Sequence, residues 1–161
     1  MSWISLTPQE LGAMLLSLKV ALVAVGASLP LAVAVAWLLA RRRFAGKVLL
    51  DALVHLPLVL PPVVVGYSLL LILGGNGSLG LWMQDVLGWS VAFSWRGAAL
   101  AAAVMAFPLM VRAVRLSMEA VDRGLEDAAR TLGASSLRVF FTVTLPLTLP
   151  GIITGMVLAF A

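Results

Sequence analysis

The sequence has 161 residues, 62% of them hydrophobic and 11% charged, with a formal net charge of +4 and a mean hydropathy of +1.10. That balance excludes an ordinary soluble globular domain and predicts one membrane domain over residues 1–161, its apolar segments buried against lipid and one another. The absence of cysteine excludes disulfides, thiolate metal sites and cysteine nucleophiles.

The positive charge does not point to nucleic acid, because its distribution is that of a membrane protein. Arg41, Arg42, Arg43 and Lys47 follow the first apolar segment, and Arg112, Arg115, Arg123, Arg130 and Arg138 surround a later polar loop. Basic residues gathered in alternate loops orient spans with those loops in the cytoplasm. The first span, approximately 11–40, contains the uncharged run 20–40, about 30 Å of helix and enough to cross the hydrocarbon layer. Ala32-Val33-Ala34 has the small-x-small look of a cleavage site, but no basic residue precedes Lys19, so this is read as an uncleaved helix with the amino terminus outside.

The second span, approximately 50–73, carries Pro57, Pro61 and Pro62 followed by Gly66. Each proline removes a backbone N–H, and lipid cannot satisfy the carbonyls left over, so a broken helix of this kind faces protein or a water-filled path. Pro57, Pro61, Pro62 and Gly66 are therefore candidate translocation-pathway residues; a kink made only for packing is the other reading. His55 and Asp51, one turn apart, form a helix-surface pair on this reading rather than a metal site or proton relay. Gly74 to Ser78 then breaks the pattern, and Trp82, Trp89 and Trp95 suit an outer interfacial connection, with Arg96 as an anchor. The third span, approximately 93–114, returns to the inside. Ser68, Asn76, Thr148 and Thr154 could donate to an anion but are assigned no role, since such hydroxyls and amides usually bond their own helix or turn.

A polar loop, approximately 119–145, follows. Asp122 is placed to cap a helix running through Leu132, and Gly133 to end it in a left-handed conformation. Leu125, Ala128, Ala129 and Leu132 recur at helical spacing as a narrow apolar stripe, with Arg123, Glu126, Asp127 and Arg130 on the polar sides. The two alanines let a partner approach the backbone while the leucines supply contact area. Ser135 or Ser136 offers a fresh cap for the segment reaching Pro146. A fourth span, approximately 147–161, starts near Leu149 and has only about 18 Å of helix before Ala161, so the chain is expected to end inside it.

This loop resembles the one shared by permease subunits of ABC importers, whose pattern is E-A-A, three residues, G, nine residues, I-x-L-P. Asp127-Ala128-Ala129, Gly133 and Val143-Thr144-Leu145-Pro146 occupy those places with both spacings intact, aspartate replacing glutamate (although Glu126 immediately precedes it) and valine replacing isoleucine. The resemblance implies that the loop forms a cytoplasmic coupling helix between spans three and four, docking in a cleft of the ATPase subunit. It makes Leu125, Glu126, Asp127, Ala128, Ala129, Leu132, Gly133, Val143, Leu145 and Pro146 the ATPase-coupling residues. Leu56 to Tyr67, Ser94 to Gly97 and Phe107 to Arg112 further resemble the molybdate-type permeases of that family.

The fold implied is an all-α integral membrane protein, a polytopic helical bundle with about four spans. The function implied is a non-catalytic permease subunit in the bacterial inner membrane. Its partners would be two copies of a cytoplasmic ABC ATPase, a second permease copy in a homodimer, a periplasmic oxyanion-binding protein and membrane lipid, with no nucleic acid, cofactor or metal. The cargo would be molybdate, with tungstate, sulfate or thiosulfate as alternatives within the family. No G-x-x-x-x-G-K-[ST], H-E-x-x-H or G-x-S-x-G occurs, so ATP hydrolysis and common membrane hydrolysis lack their parts in this chain. Two other classes remain at this level: a self-sufficient channel or carrier, which leaves the polar loop unused, and a membrane scaffold without a pathway.

Overall fold

The computed structural model describes residues 7–74, 77–88 and 93–161, and among these it is helical without strands. The helices are α1 (Pro8–Arg41), α2 (Lys47–Val59), α3 (Pro62–Leu73), α4 (Ser78–Leu87), α5 (Trp95–Ala120), α6 (Arg123–Thr131) and α7 (Ser136–Val139). A π-helical turn (Phe140–Thr144) leads from α7 to α8 (Leu145–Leu147), and α9 (Leu149–Phe160) follows. Asn76 and Trp89 lie outside the described residues.

Local chemistry sets the ends. Thr7 begins α1 with a capping box: its hydroxyl oxygen accepts from the Glu10 amide at 3.3 Å, and its own amide donates to the Glu10 carboxylate at 2.7 Å. Ser94 caps α5 by accepting from the Gly97 amide at 3.3 Å. Pro61 and Pro62 stop α2 and restart the chain as α3, with a bend of 110° between the two helices. Pro57 is accommodated within α2.

The core forms where α1 and α9 pack on α5. Ala24, Ser28, Ala32 and Ala36 repeat every fourth residue and are all buried, so α1 presents a thin seam that lets α5 approach closely. The Ser28 hydroxyl is satisfied within the seam by donating to the Ala24 carbonyl at 2.6 Å. Met110, Val111, Val114 and Met118 of α5 fill the facing space and are fully buried. On the α9 side, Gly151 and Gly155 make the close approach possible: a Cβ at Gly151 would collide with the Ser117 side chain and lie 3.0 Å from the Ala113 carbonyl.

Side-chain contacts give the directions. Lys19 sits 4.0 Å over the Trp95 ring at the start of α5, and Arg41 reaches the Val121 carbonyl just beyond its end, so α1 and α5 run parallel. Gly151 faces Ser117 whereas Gly155 faces Met110, so α9 runs antiparallel to them. Asp51 of α2 pairs with Arg115, while Gly66 of α3 shares a cavity wall with Gly97 and Ala101.

Alone, α1 and α5 are long and apolar enough to cross a membrane. The bent pairs Lys47–Val59 with Pro62–Leu73, and Ser136–Leu147 with Leu149–Phe160 (65°), pass the same test when each is taken together, so the described residues hold two candidate spans, or up to four if each bent pair is one span. The molecule is thus a polytopic helical membrane protein. At one end of the bundle lie Arg41, Arg42, Arg43, Lys47, Glu119, Arg123 and α6; at the other, Lys19 and Trp95.

Candidate functional site

Helix α6 has the bounds its sequence asks for. Asp122 caps it by accepting from the Gly124 amide at 2.8 Å, and Gly133 ends it with φ +84°. The Gly133 amide donates to the Arg130 carbonyl at 2.9 Å and the Ala134 amide to the Ala129 carbonyl at 3.1 Å, the paired bonds of a Schellman ending. Ser135 starts the next helix as expected, its hydroxyl oxygen accepting from the Arg138 amide at 3.4 Å.

Leu125 is 50% exposed and Leu132 88%, with Asp127 and Ala128 also exposed and Ala129 half-buried, so the stripe faces outward from the bundle. Two large apolar side chains held out by a nine-residue helix and its C-cap residue are what a docking surface requires.

Glu126 does something different from its neighbours. Placed by sequence on a polar side of α6, it turns inward and is 4% exposed. One carboxylate oxygen, Oε1, accepts from Arg41 Nε at 3.0 Å and from the Thr144 hydroxyl at 2.8 Å, and lies 2.8 Å from Arg41 Nη2. The same Nη2 donates to the Val121 carbonyl at 3.2 Å. The other oxygen has only a loose contact with Arg130 at 4.0 Å, since Arg130 bonds Asp127 at 2.9 Å. A buried charge is tolerable only when paired and hydrogen-bonded, and here both conditions hold. The carboxylate thus ties three segments together: the end of α1, the start of α6 and the π-helical turn.

That junction also joins the two halves of the motif. Thr144, the variable position between Val143 and Leu145, is 1% exposed and supplies the hydroxyl that meets Glu126. The extra residue of the π turn rotates Thr144 inward, while Val143 and Leu145 are half-buried and Pro146 is exposed. A cavity of about 320 Å³ adjoins the junction, lined by Trp37, Arg41, Glu126, Arg130, Phe140 and Thr144. Trp37 and Phe140 meet edge-to-face across it at 5.8 Å. Sequence reasoning counted Arg41 only in a basic cluster and left Thr144 without a role; a carboxylate beside an otherwise outward-facing stripe is the signal that a distant cation would be needed.

The second-span residues are spread out. Pro57 is half-buried in α2, Pro61 and Pro62 are exposed at the bend, and Gly66 lines a cavity of about 450 Å³ against α5 whose wall is mainly aliphatic. The expected Asp51–His55 pair is present at 3.4 Å and is joined by Arg115, 3.0 Å from Asp51 and 2.8 Å from Glu119. The hydroxyls left without a role are spent locally: Ser68 donates to the Val64 carbonyl, Thr148 to Leu145 and Thr154 to Pro150.

Residues 28–161, which include the buried junction and the whole of α6, match the family described as binding-protein-dependent transport system inner membrane component. The chain belongs to this family. It is 65% identical over 156 residues to the molybdenum transport system permease protein ModB of Escherichia coli (strain K12), covering 97% of this chain and 68% of that protein. It is 59% identical over 152 residues to ModB of Haemophilus influenzae, covering 94% of this chain and 66% of that one. The sulfate transport system permease protein CysT of Escherichia coli (strain K12) is 39% identical over 127 residues, 78% of this chain and 45% of that protein. The chain thus spans about two thirds of the length of the ModB relatives.

Proposed function

We propose that the chain is the membrane-spanning permease subunit of an ATP-driven molybdate importer, working as a homodimer on two cytoplasmic ATPase subunits and fed by a periplasmic oxyanion-binding protein. The observation that carries this reading is the 65% identity to ModB over 97% of the chain, against 39% to the sulfate permease CysT. The membrane is the bacterial inner membrane, with the arginine-rich end of the bundle in the cytoplasm and the amino terminus outside.

In this mechanism α6 is the coupling helix. Leu125, Ala128 and Leu132 seat in a cleft of the ATPase, where burying each leucine contributes about 1.5–3 kcal/mol. Movement of that cleft displaces α6, and the Glu126 carboxylate carries the displacement to α1 through Arg41 and to the helix leading into α9 through Thr144. A helix held only by its backbone ends would swing without moving the spans. Coupling requires α6 to be bound differently in two ATPase states, so this tie must survive both. The proline-broken second span lies against α5, where a change in its bend alters the path for a dianion.

The test uses the complete permease with its ATPase and binding protein in proteoliposomes. Leu125→Asp with Leu132→Asp should abolish ATP-driven molybdate uptake and weaken assembly at least about 100-fold, since ~3 kcal/mol of apolar contact is lost. Normal uptake would refute docking through α6. Uptake without ATP would favour a channel or carrier, and assembly without any uptake a scaffold. Competition by sulfate as strong as that by tungstate would move the cargo to the sulfate class.

A further inference from the structure

The arginine-rich end of the bundle holds a second cavity, of about 550 Å³, which adjoins the Glu126 junction and shares Arg41 and Arg42 with it. Its wall includes Arg42 and Arg43 from the end of α1, Lys47 from the start of α2, and Arg123 from the start of α6. Glu119 is the carboxylate in the wall, and it is taken by Arg115 at 2.8 Å. Arg41, also in the wall, is taken by Glu126. Arg42, Arg43, Lys47 and Arg123 have no carboxylate within ion-pair distance among the described residues; Arg42 instead lies 5.3 Å over the Trp37 ring. Four cations drawn from three helix ends around one opening repel each other, and a bound anion relieves that repulsion.

We propose that this cavity binds the phosphate of an anionic phospholipid. The surface beside it selects a lipid over a free ion. Phe44 is 38% exposed, and Val48 and Leu49, the residues immediately after Lys47, are 83% and 65% exposed, so exposed apolar side chains stand next to the cations along the chain. A ligand with a phosphate and an acyl chain matches both parts, with the phosphate in the cavity and the chain along α2. Basic pockets between helix ends on the cytoplasmic side are suited to such headgroups. Because Arg123 is the first residue of α6, a lipid held here also pins the hinge between α5 and α6.

The experiment titrates the purified full-length permease in detergent with dioleoylphosphatidylglycerol or dioleoylphosphatidylcholine and reads bound lipid by native mass spectrometry. The wild type should bind the anionic lipid at least about tenfold more tightly. Changing Arg42, Arg43, Lys47 and Arg123 together to Gln should remove that preference, whereas Arg112→Gln with Arg138→Gln should keep it. If the fourfold variant does not elute as a single species, Arg43→Glu carries the test, with a fall of about tenfold expected. Equal binding of the two lipids, or equal loss in the Arg112 and Arg138 control, overturns the proposal. So does displacement of the lipid by millimolar inorganic phosphate, which points to a free-ion site. Intact lipid preference with loss of the ATPase subunit in the fourfold variant overturns it in favour of protein docking. These readouts do not involve uptake, so they stand apart from the transport reading.

Discussion

Glu126→Ala isolates the junction on which the placement of α6 depends. The change removes the acceptor of the Thr144 hydroxyl and leaves the Arg41 guanidinium, whose side chain is 8% exposed, with the Val121 carbonyl as its remaining bond. Removing one partner of a buried ion pair costs about 3–5 kcal/mol, because the other charge stays desolvated and unpaired. The adjoining cavity of about 320 Å³ admits water to the stranded guanidinium, which favours the lower end of that range. At ~1.4 kcal/mol per decade, a cost of about 3 kcal/mol raises the opening equilibrium of α6 roughly 100-fold. Hydrogen exchange of the full-length protein in detergent should show that acceleration in peptides covering residues 123–132. Peptides from the α1–α5 core should be unchanged, since their seam does not involve Glu126. Replacing both partners, Arg41→Met with Glu126→Leu, should recover part of the loss, at least about 1 kcal/mol of it remaining because the Val121 carbonyl and the buried Thr144 hydroxyl each lose a partner. An α6 acceleration below about threefold, or an equal acceleration in α5, would refute the tie.

Gly151→Ala should destabilise the α5–α9 contact by about 1–3 kcal/mol, read as a lower unfolding temperature in detergent, with partial rescue by Ser117→Gly. Gly155→Ala, whose added carbon would lie 3.3 Å from both the Met110 side chain and the Met110 carbonyl oxygen, a tight but not overlapping contact, should cost about 1 kcal/mol and less than Gly151→Ala. Gly133→Ala should cost about 1–2 kcal/mol through its positive φ, and Gly133→Asn less; circular dichroism on thermal unfolding checks both. Arg115→Met should change stability by no more than about 1 kcal/mol at low salt and less at high salt, because Asp51 and Glu119 are 39% and 42% exposed and water screens the pairs.

Several features were legible in the residues because they depend on neighbours in the chain. The limits of α6 follow from the Asp122 side chain and the freedom of Gly133. The start of α9 near Leu149 and the break after α2 follow from prolines that cannot donate. The spacing from Asp127 to Pro146 was also visible as a pattern, though its reason was not. Helical periodicity placed Leu125, Ala128 and Leu132 together but could not say whether their face met the bundle or the water, since an apolar stripe serves either.

By itself the sequence determined a helical membrane chain with one cation-rich end and a short capped helix among those cations, all consequences of composition, local capping and backbone chemistry. Only the tertiary structure decided that Glu126 turns inward and that α2 and α3 meet at a bend of 110°. It also decided that the π turn delivers Thr144 to the same carboxylate as Arg41. The reason is one of distance along the chain. A carboxylate can be buried only beside its countercharge, and for Glu126 that countercharge stands 85 residues away, brought close by the small-residue seam that packs α1 on α5.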